Sequence, residues 1–167
     1  MKHYFAPAFA ALMLAACSAL PSFHHHGSSH TMPAHQTTIP SAYDFNDTVA
    51  KIRQAVESKG MTVFAVIDHQ AAAQKAGLQM QPATVLIFGN PKAGTPLMVK
   101  DPAFALQLPL KVLITETDGK VQVSYVPAQH LILGSKIAPA EVENTLAKAE
   151  GLIRATVVAY KLVLLRT

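Results

Sequence analysis

The chain predicts an α+β fold: two layers, with a mainly antiparallel sheet and helices on one face. Three observations carry this. Asp118-Gly119 stands between two β-rich runs, Leu110 to Glu116 and Lys120 to Tyr125, which is a hairpin signal. Val49, Ile52 and Val56 recur at the spacing of a helix face, as do Val142, Leu146, Ala149, Ile153, Val157 and Tyr160. Between these two helices lie further short β-rich runs, so helices pack on one side of a sheet made chiefly of antiparallel neighbours.

Taken in order, Thr37-Thr38-Ile39 leads into Pro40-Ser41-Ala42-Tyr43, a proline-interrupted strand suited to a sheet edge. Asp44 or Asn46 caps the first helix, which runs to about Lys59 and stops at Gly60 in the C′ position. Met61 to Ile67 is a strand. Asp68 caps a short helix through Ala71 to Ala76, closed by Gly77. Ala83 to Ile87 is apolar and β-branched, a buried strand. The stretch Phe88 to Met98 then places two glycines and two prolines within eight residues, which holds the backbone in a specific shape. A short segment, Met98 to Leu106, precedes the hairpin. In the hairpin's second strand Val121, Val123 and Tyr125 share one face and Lys120, Gln122 and Ser124 the other, so that strand is half buried. The last helix opens with Pro139 near its first position and Glu141 and Glu143 in its first turn, where acids suit the helix dipole. The predicted order is β-α-β-β-β-β-α, without internal repeats. Residues 152–165 are apolar nearly all round, fourteen residues and too short for a membrane span. They read as a buried helix end or a self-association surface, with a terminal strand as the alternative.

Composition narrows the function classes. The 167 residues allow one domain plus attachments, and half of them are hydrophobic, ample for a packed core. The net charge of +4 arises outside the centre: Pro40 to Glu150 holds ten Lys/Arg and ten Asp/Glu. No basic stripe interleaved with aromatics is present, which argues against nucleic-acid binding.

At the N-terminus Lys2 supplies a positive end and Phe5 to Ala16 an apolar run of about a dozen residues, the shape of a secretory signal. The run ends Leu14-Ala15-Ala16-Cys17, which looks like a bacterial lipobox. Residues 1–16 then form the signal peptide, and Cys17, the single cysteine, becomes the lipidated first residue. The alternative is an ordinary secretory signal cut after an alanine. A single cysteine excludes a disulfide within the chain. Ser18 after the cysteine favours an outer-membrane over an inner-membrane anchor, facing the periplasm of a bacterial envelope. Residues 17–35 read as a flexible tether, whose roughly 20 residues reach about 25 Å. Residues 36–167 form the single folded domain.

Several stretches together resemble one family, the domain of unknown function 302 family. They are Thr48, Gly60-Met61-Thr62-Val63-Phe64, Ile67-Asp68-His69, Ala76-Gly77-Leu78, Phe88 to Met98, Leu108-Pro109-Leu110-Lys111-Val112-Leu113 and Ser124-Tyr125. The resemblance spans roughly residues 40–150, and the phrase Phe88-Gly89-Asn90-Pro91-Lys92-Ala93-Gly94-Thr95-Pro96-Leu97-Met98 is its most specific part. It implies a compact domain similar to the TATA-binding-protein-like fold, in β-α-β(4)-α order, pairing as a homodimer. It implies no established activity. The lipobox, the histidine-rich tether and the apolar tail depart from a bare member.

Candidate sites follow from residue chemistry. In the Phe88 to Met98 stretch, Gly89, Lys92, Ala93, Gly94 and Thr95 offer backbone donors, with side-chain donors from Lys92 and Thr95, as in a small anion nest. The structural alternative has Gly89 and Gly94 at positive φ and Asn90 making a local turn bond. The P-loop spacing is absent. Asp68-His69 is the acid–histidine pair of the folded region; Ser124 and Tyr125 would have to approach it across the sheet to build a catalytic site, and a helix cap explains Asp68 as well. His24, His25, His26, His30 and His35 can chelate divalent copper, nickel or zinc, although a solvated linker is the plainer reading. His130 stands alone in the sequence and reads as a structural or surface residue. No resident cofactor is indicated beyond such a divalent metal.

Three functions fit. The first is a non-enzymatic, membrane-tethered module binding a small ligand or partner, with Asp68, His69, Asn90, Lys92, Gly94 and Thr95 as candidate contacts. The second is an enzyme of unknown class using the same polar residues. The third is a metal-capturing lipoprotein acting through its tether.

Overall fold

The computed structural model describes residues 35–158. The expected signal peptide, Cys17, His24, His25, His26, His30 and the end of the apolar tail (159–167) lie outside the described residues.

Five strands form one sheet: β1 (Thr37–Pro40), β2 (Thr62–Asp68), β3 (Ala83–Gly89), β4 (Leu110–Thr117) and β5 (Lys120–Tyr125). Their spatial order is β1-β5-β4-β3-β2, and each pairing is antiparallel. Pro40 thus sits on an edge strand, where its missing N–H leaves no ladder bond unmade. The β4–β5 hairpin turns at Asp118 (φ 51°) and Gly119 (φ 68°), the left-handed pair that a tight two-residue turn requires.

Alternation along the strands separates the two faces. Leu86 and Phe88 of β3, Val112 and Ile114 of β4, and Val121, Val123 and Tyr125 of β5 are buried. Helices α1 (Phe45–Ser58) and α6 (Leu146–Val157) supply Ile52, Val56, Ala149, Ile153 and Val157 to the same core. Removing a buried aromatic such as Phe88 would cost about 3–5 kcal/mol, the transfer energy plus the cavity left behind.

The helix signals act as read. Asp44 caps α1, its carboxylate accepting from the Asp47 amide at 2.8 Å. Thr48 is fully buried, yet its hydroxyl donates to the Asp44 carbonyl at 2.7 Å and accepts from Ser41 Oγ at 2.7 Å. Gly60 (φ 72°) and Gly77 (φ 77°) end α1 and the short α2 (His69–Lys75) with left-handed backbone.

Two expectations are corrected. The stretch after Phe88 is not a loop: Pro91–Lys100 is a helix, α3, continued by a 3-10 turn over Pro102–Gln107. Neither Gly89 nor Gly94 has positive φ; Gly89 ends β3 and Gly94 lies inside α3. The final helix is also broken. Pro139–Glu143 (α5) stops before α6, and Thr145 between them sits at φ −125°, ψ −89°, outside the helical region. A further short helix, α4 (Ala128–Leu131), follows β5. Leu97, Phe104, Ala128, Ile132, Ile137, Val142 and Leu146 form a second, smaller core beneath α3 to α6.

Candidate functional site

The site is built where β3 passes into α3. Gly89 pairs with Thr62 at the end of the β2–β3 ladder. Asn90 then leaves the sheet and caps α3: its side-chain oxygen accepts from the Lys92 amide at 2.9 Å, and its carbonyl accepts from Ala93 (3.0 Å) and Gly94 (2.9 Å). Pro91 occupies the first turn, where an N–H would have no helical partner. The amides of Lys92, Ala93 and Gly94, which the anion-nest reading aims at a ligand, are therefore satisfied by Asn90. Gly94 is buried because α3 runs close to the segment ahead of β4. A Cβ there would lie 3.2 Å from Leu108 Cδ1, whereas one at Gly89 would meet nothing nearer than 3.6 Å.

Beside this junction lies a pocket of about 180 Å³, partly open to solvent. Gly89, Asn90, Gly94 and Thr95 line one part of it, Met61 and Phe64 another, Leu108 to Leu110 a third, and Thr145, Leu146 and Ala149 the remainder, with Pro91, Ala93 and Met98 completing the wall. No side chain in that wall carries a titratable group; its polar groups belong to Asn90, Thr95 and Thr145. Thr145 donates to the Glu141 carbonyl at 2.8 Å, which fixes its hydroxyl at the break between α5 and α6.

The predicted contact residues divide. Asn90, Gly94 and Thr95 line the pocket; Lys92 is exposed and outside the lining. Asp68 and His69 lie at the far end of the β2–β3 pair, since Thr62 faces Gly89 and Asp68 faces Thr84. Six residues of extended strand put them about 20 Å from Asn90. Asp68 caps α2, accepting from the Ala71 amide at 2.8 Å, and His69 is exposed in that helix's first turn. Ser124 and Tyr125 do not approach them, because β5 is three strands from β2. Ser124 instead shares a hydroxyl bond with Thr38 at 2.8 Å, and Tyr125 accepts from Arg154 at 3.2 Å.

A second depression, about 450 Å³, follows the β1–β5 edge along Tyr43, Asp44, Glu116 and Lys120; it contains none of the predicted contact residues. Among the described residues no three His, Cys, Asp or Glu converge as metal ligands. His35 is exposed, and its ring lies 5.0 Å from that of His130, which is therefore not isolated in space.

Met61, Leu108, Pro109, Thr145, Leu146 and Ala149 were not legible as site residues. For Met61, Leu108 and Pro109 the one sequence signal is that three stretches carrying the family resemblance, around Met61, Gly89 and Leu108, meet in this wall; Thr145, Leu146 and Ala149 carried none. A family model described as "Domain of unknown function DUF302" matches residues 37–155. The chain belongs to the DUF302 family. A DUF302 crystal structure from Bacillus stearothermophilus, an uncharacterized conserved protein, shares the fold. Its TM-score is 0.63 at 19% identity, covering 74% of this chain and 96% of that one. Over 86 residues the chain is 38% identical to the "Fluoride-specific ion channel FluC 1" of Brucella suis, covering 52% of this chain and 34% of that protein. The FluC 1 of Brucella abortus matches at the same identity, with 32% of its length covered. The DUF302 chain thus spans about a third of the length of these curated relatives.

Proposed function

We propose that this DUF302 domain is a non-enzymatic binding module whose ligand is a small, largely apolar molecule held beside the β3–α3 junction. One observation carries the reading. The pocket wall is apolar apart from Asn90, Thr95 and Thr145, and none of its side chains carries a charge. Its size supports a ligand of benzene scale, since an apolar cavity of about 150 Å³ takes benzene. Few, fixed polar groups in an apolar cleft are what orient a small ligand. The distance between Asp68/His69 and the pocket removes the shared site on which the enzyme reading depended.

The module is placed at the cell envelope, facing the periplasm, by lipid on Cys17 and the tether that follows, with the outer membrane preferred. A domain of this type inside proteins named as ion channels is consistent with work at a membrane. Fluoride conduction is not carried over, because the chain spans only about a third of the length of those proteins. A homodimer completes the proposal. Phe64 (53% exposed) and Val66 (44%) lie on the edge strand β2, apolar surface that a second copy would cover.

The test is a thermal-shift and ligand-observed NMR screen with benzene, toluene and short-chain carboxylates. The parent is expected to be stabilised, as any ligand bound only by the native state stabilises it. Thr95→Phe, at an exposed position on the pocket wall, is expected to abolish that shift without unfolding the domain. Equal binding by Thr95→Phe, or no binding by any probe, would refute the assignment.

A further inference from the structure

Strand β2 has a break in its ladder beside the pocket. Thr62 faces Gly89 and Val63 faces Phe88, but Ala65 faces Ile87, so Phe64 is an extra residue with no partner across the pair. A bulge of this kind on an edge strand re-aims one side chain. Here that side chain is the one aromatic ring in the pocket wall among the described residues. Phe64 Cε2 lies 3.7 Å from where a Cβ at Gly89 would stand, yet Phe64 is 53% exposed. The ring is thus set beside Gly89 while part of its surface is left uncovered by the chain itself. Met61 and Met98 add two thioethers to the same wall, groups that make favourable contacts with aromatic rings.

The polar groups of the wall have fixed roles. The Asn90 side-chain oxygen already accepts from the Lys92 amide, so its NH₂ is what remains to donate. Thr145 gives its proton to the Glu141 carbonyl, so its oxygen is what remains to accept. A hydroxyl group both accepts and donates and can use either. A carboxylate would enter the wall without a cation to pair with, since Lys92 is exposed and outside the lining, and an unpaired buried charge is costly. Taking the apolar pocket as the ligand site, as above, we propose that it selects an uncharged aromatic ring bearing a hydroxyl, a phenol, and that Phe64 is the residue that prefers this ring to an aliphatic one of the same size.

Phenol, cyclohexanol and benzoate are titrated into the full chain by calorimetry. Phenol is expected to bind about threefold to tenfold tighter than cyclohexanol, because an aromatic pair contributes beyond the area it buries. Benzoate is expected to bind at least about tenfold more weakly than phenol. Phe64→Leu keeps an apolar wall and loses the ring; it should bring phenol to within about twofold of cyclohexanol and leave cyclohexanol as in the parent. A second readout needs no variant: in chain with ¹³C-labelled methionine methyls, the ring current of phenol should move the Met61 and Met98 signals further than cyclohexanol does. Equal affinity for phenol and cyclohexanol, benzoate bound as tightly as phenol, a preference that survives Phe64→Leu, or unmoved methyl signals would each overturn the phenol assignment. Where Thr95→Phe still abolishes binding, the pocket itself stands. Phenol bound by Thr95→Phe as by the parent would overturn the pocket and the assignment together.

Discussion

At the scale of single residues, the two glycines of the Phe88 to Met98 stretch have different constraints, and neither is the positive φ expected of them. Gly89 has room for a methyl group; Gly94 faces Leu108 Cδ1 at 3.2 Å from where its Cβ would be. Gly94→Val overpacks that contact and is expected to cost about 1–3 kcal/mol. Lys92→Ala and Gly89→Ala should stay within about 0.5 kcal/mol, the range of changes that disturb no special feature. Urea unfolding of the three variants checks this, and a Gly89→Ala loss matching that of Gly94→Val would contradict it. Asp68 was legible as a cap because a capping carboxylate needs only its own backbone and the next three residues. Gly94 was not, because its constraint comes from Leu108, fourteen positions away and on another element.

Among the elements, the short helices at the α3–α5 side depend on ion pairing that has a pH signature. Glu141 accepts from the Lys100 ammonium, joining α5 to α3, and from the Ala138 amide at 2.8 Å, closing the first turn of α5. The Lys100 hydrogen bond chiefly, and then the Ala138 amide, hold the Glu141 carboxyl below its ordinary value of 4.5. A carboxylate depressed in the fold stabilises above its unfolded pKa, and that stabilisation disappears as pH falls through the lower folded value. Glu141→Gln is therefore expected to lower the urea midpoint at pH 7, with parent and variant converging below pH 4.5. A constant gap from pH 7 to pH 3 would count against the pairing. Strand positions, the Asp118-Gly119 turn and the α1 boundaries were legible, since alternation, left-handed turn residues and caps are local. Helix α3 was misread as a loop. Pro91 is harmless in the first turn, and Pro96 inside the helix removes one backbone bond without ending it, while Leu97 is buried against the second core. That burial is tertiary, and it outweighed the local signal.

For the whole molecule, the envelope reading makes a separate demand on the chain. Cells supplied with labelled palmitate should incorporate it into the protein, and Cys17→Ser should both lose the label and release the domain to the soluble fraction. Unlabelled parent protein would end the anchor proposal while leaving the pocket untouched. The sequence by itself determined the five strands, helices α1 and α2, the antiparallel hairpin, the edge position of β1 and the family, because each rests on neighbours within a few residues or on an unbroken phrase. Periodicity shows which side of a strand or helix is buried, but not what stands opposite it. Only the tertiary structure decided that Met61, Asn90, Leu108 and Ala149 share one pocket, that His69 is a strand's length from Asn90, and that His35 meets His130. Those outcomes depend on sheet order and register, which are set by packing the entire apolar surface at once.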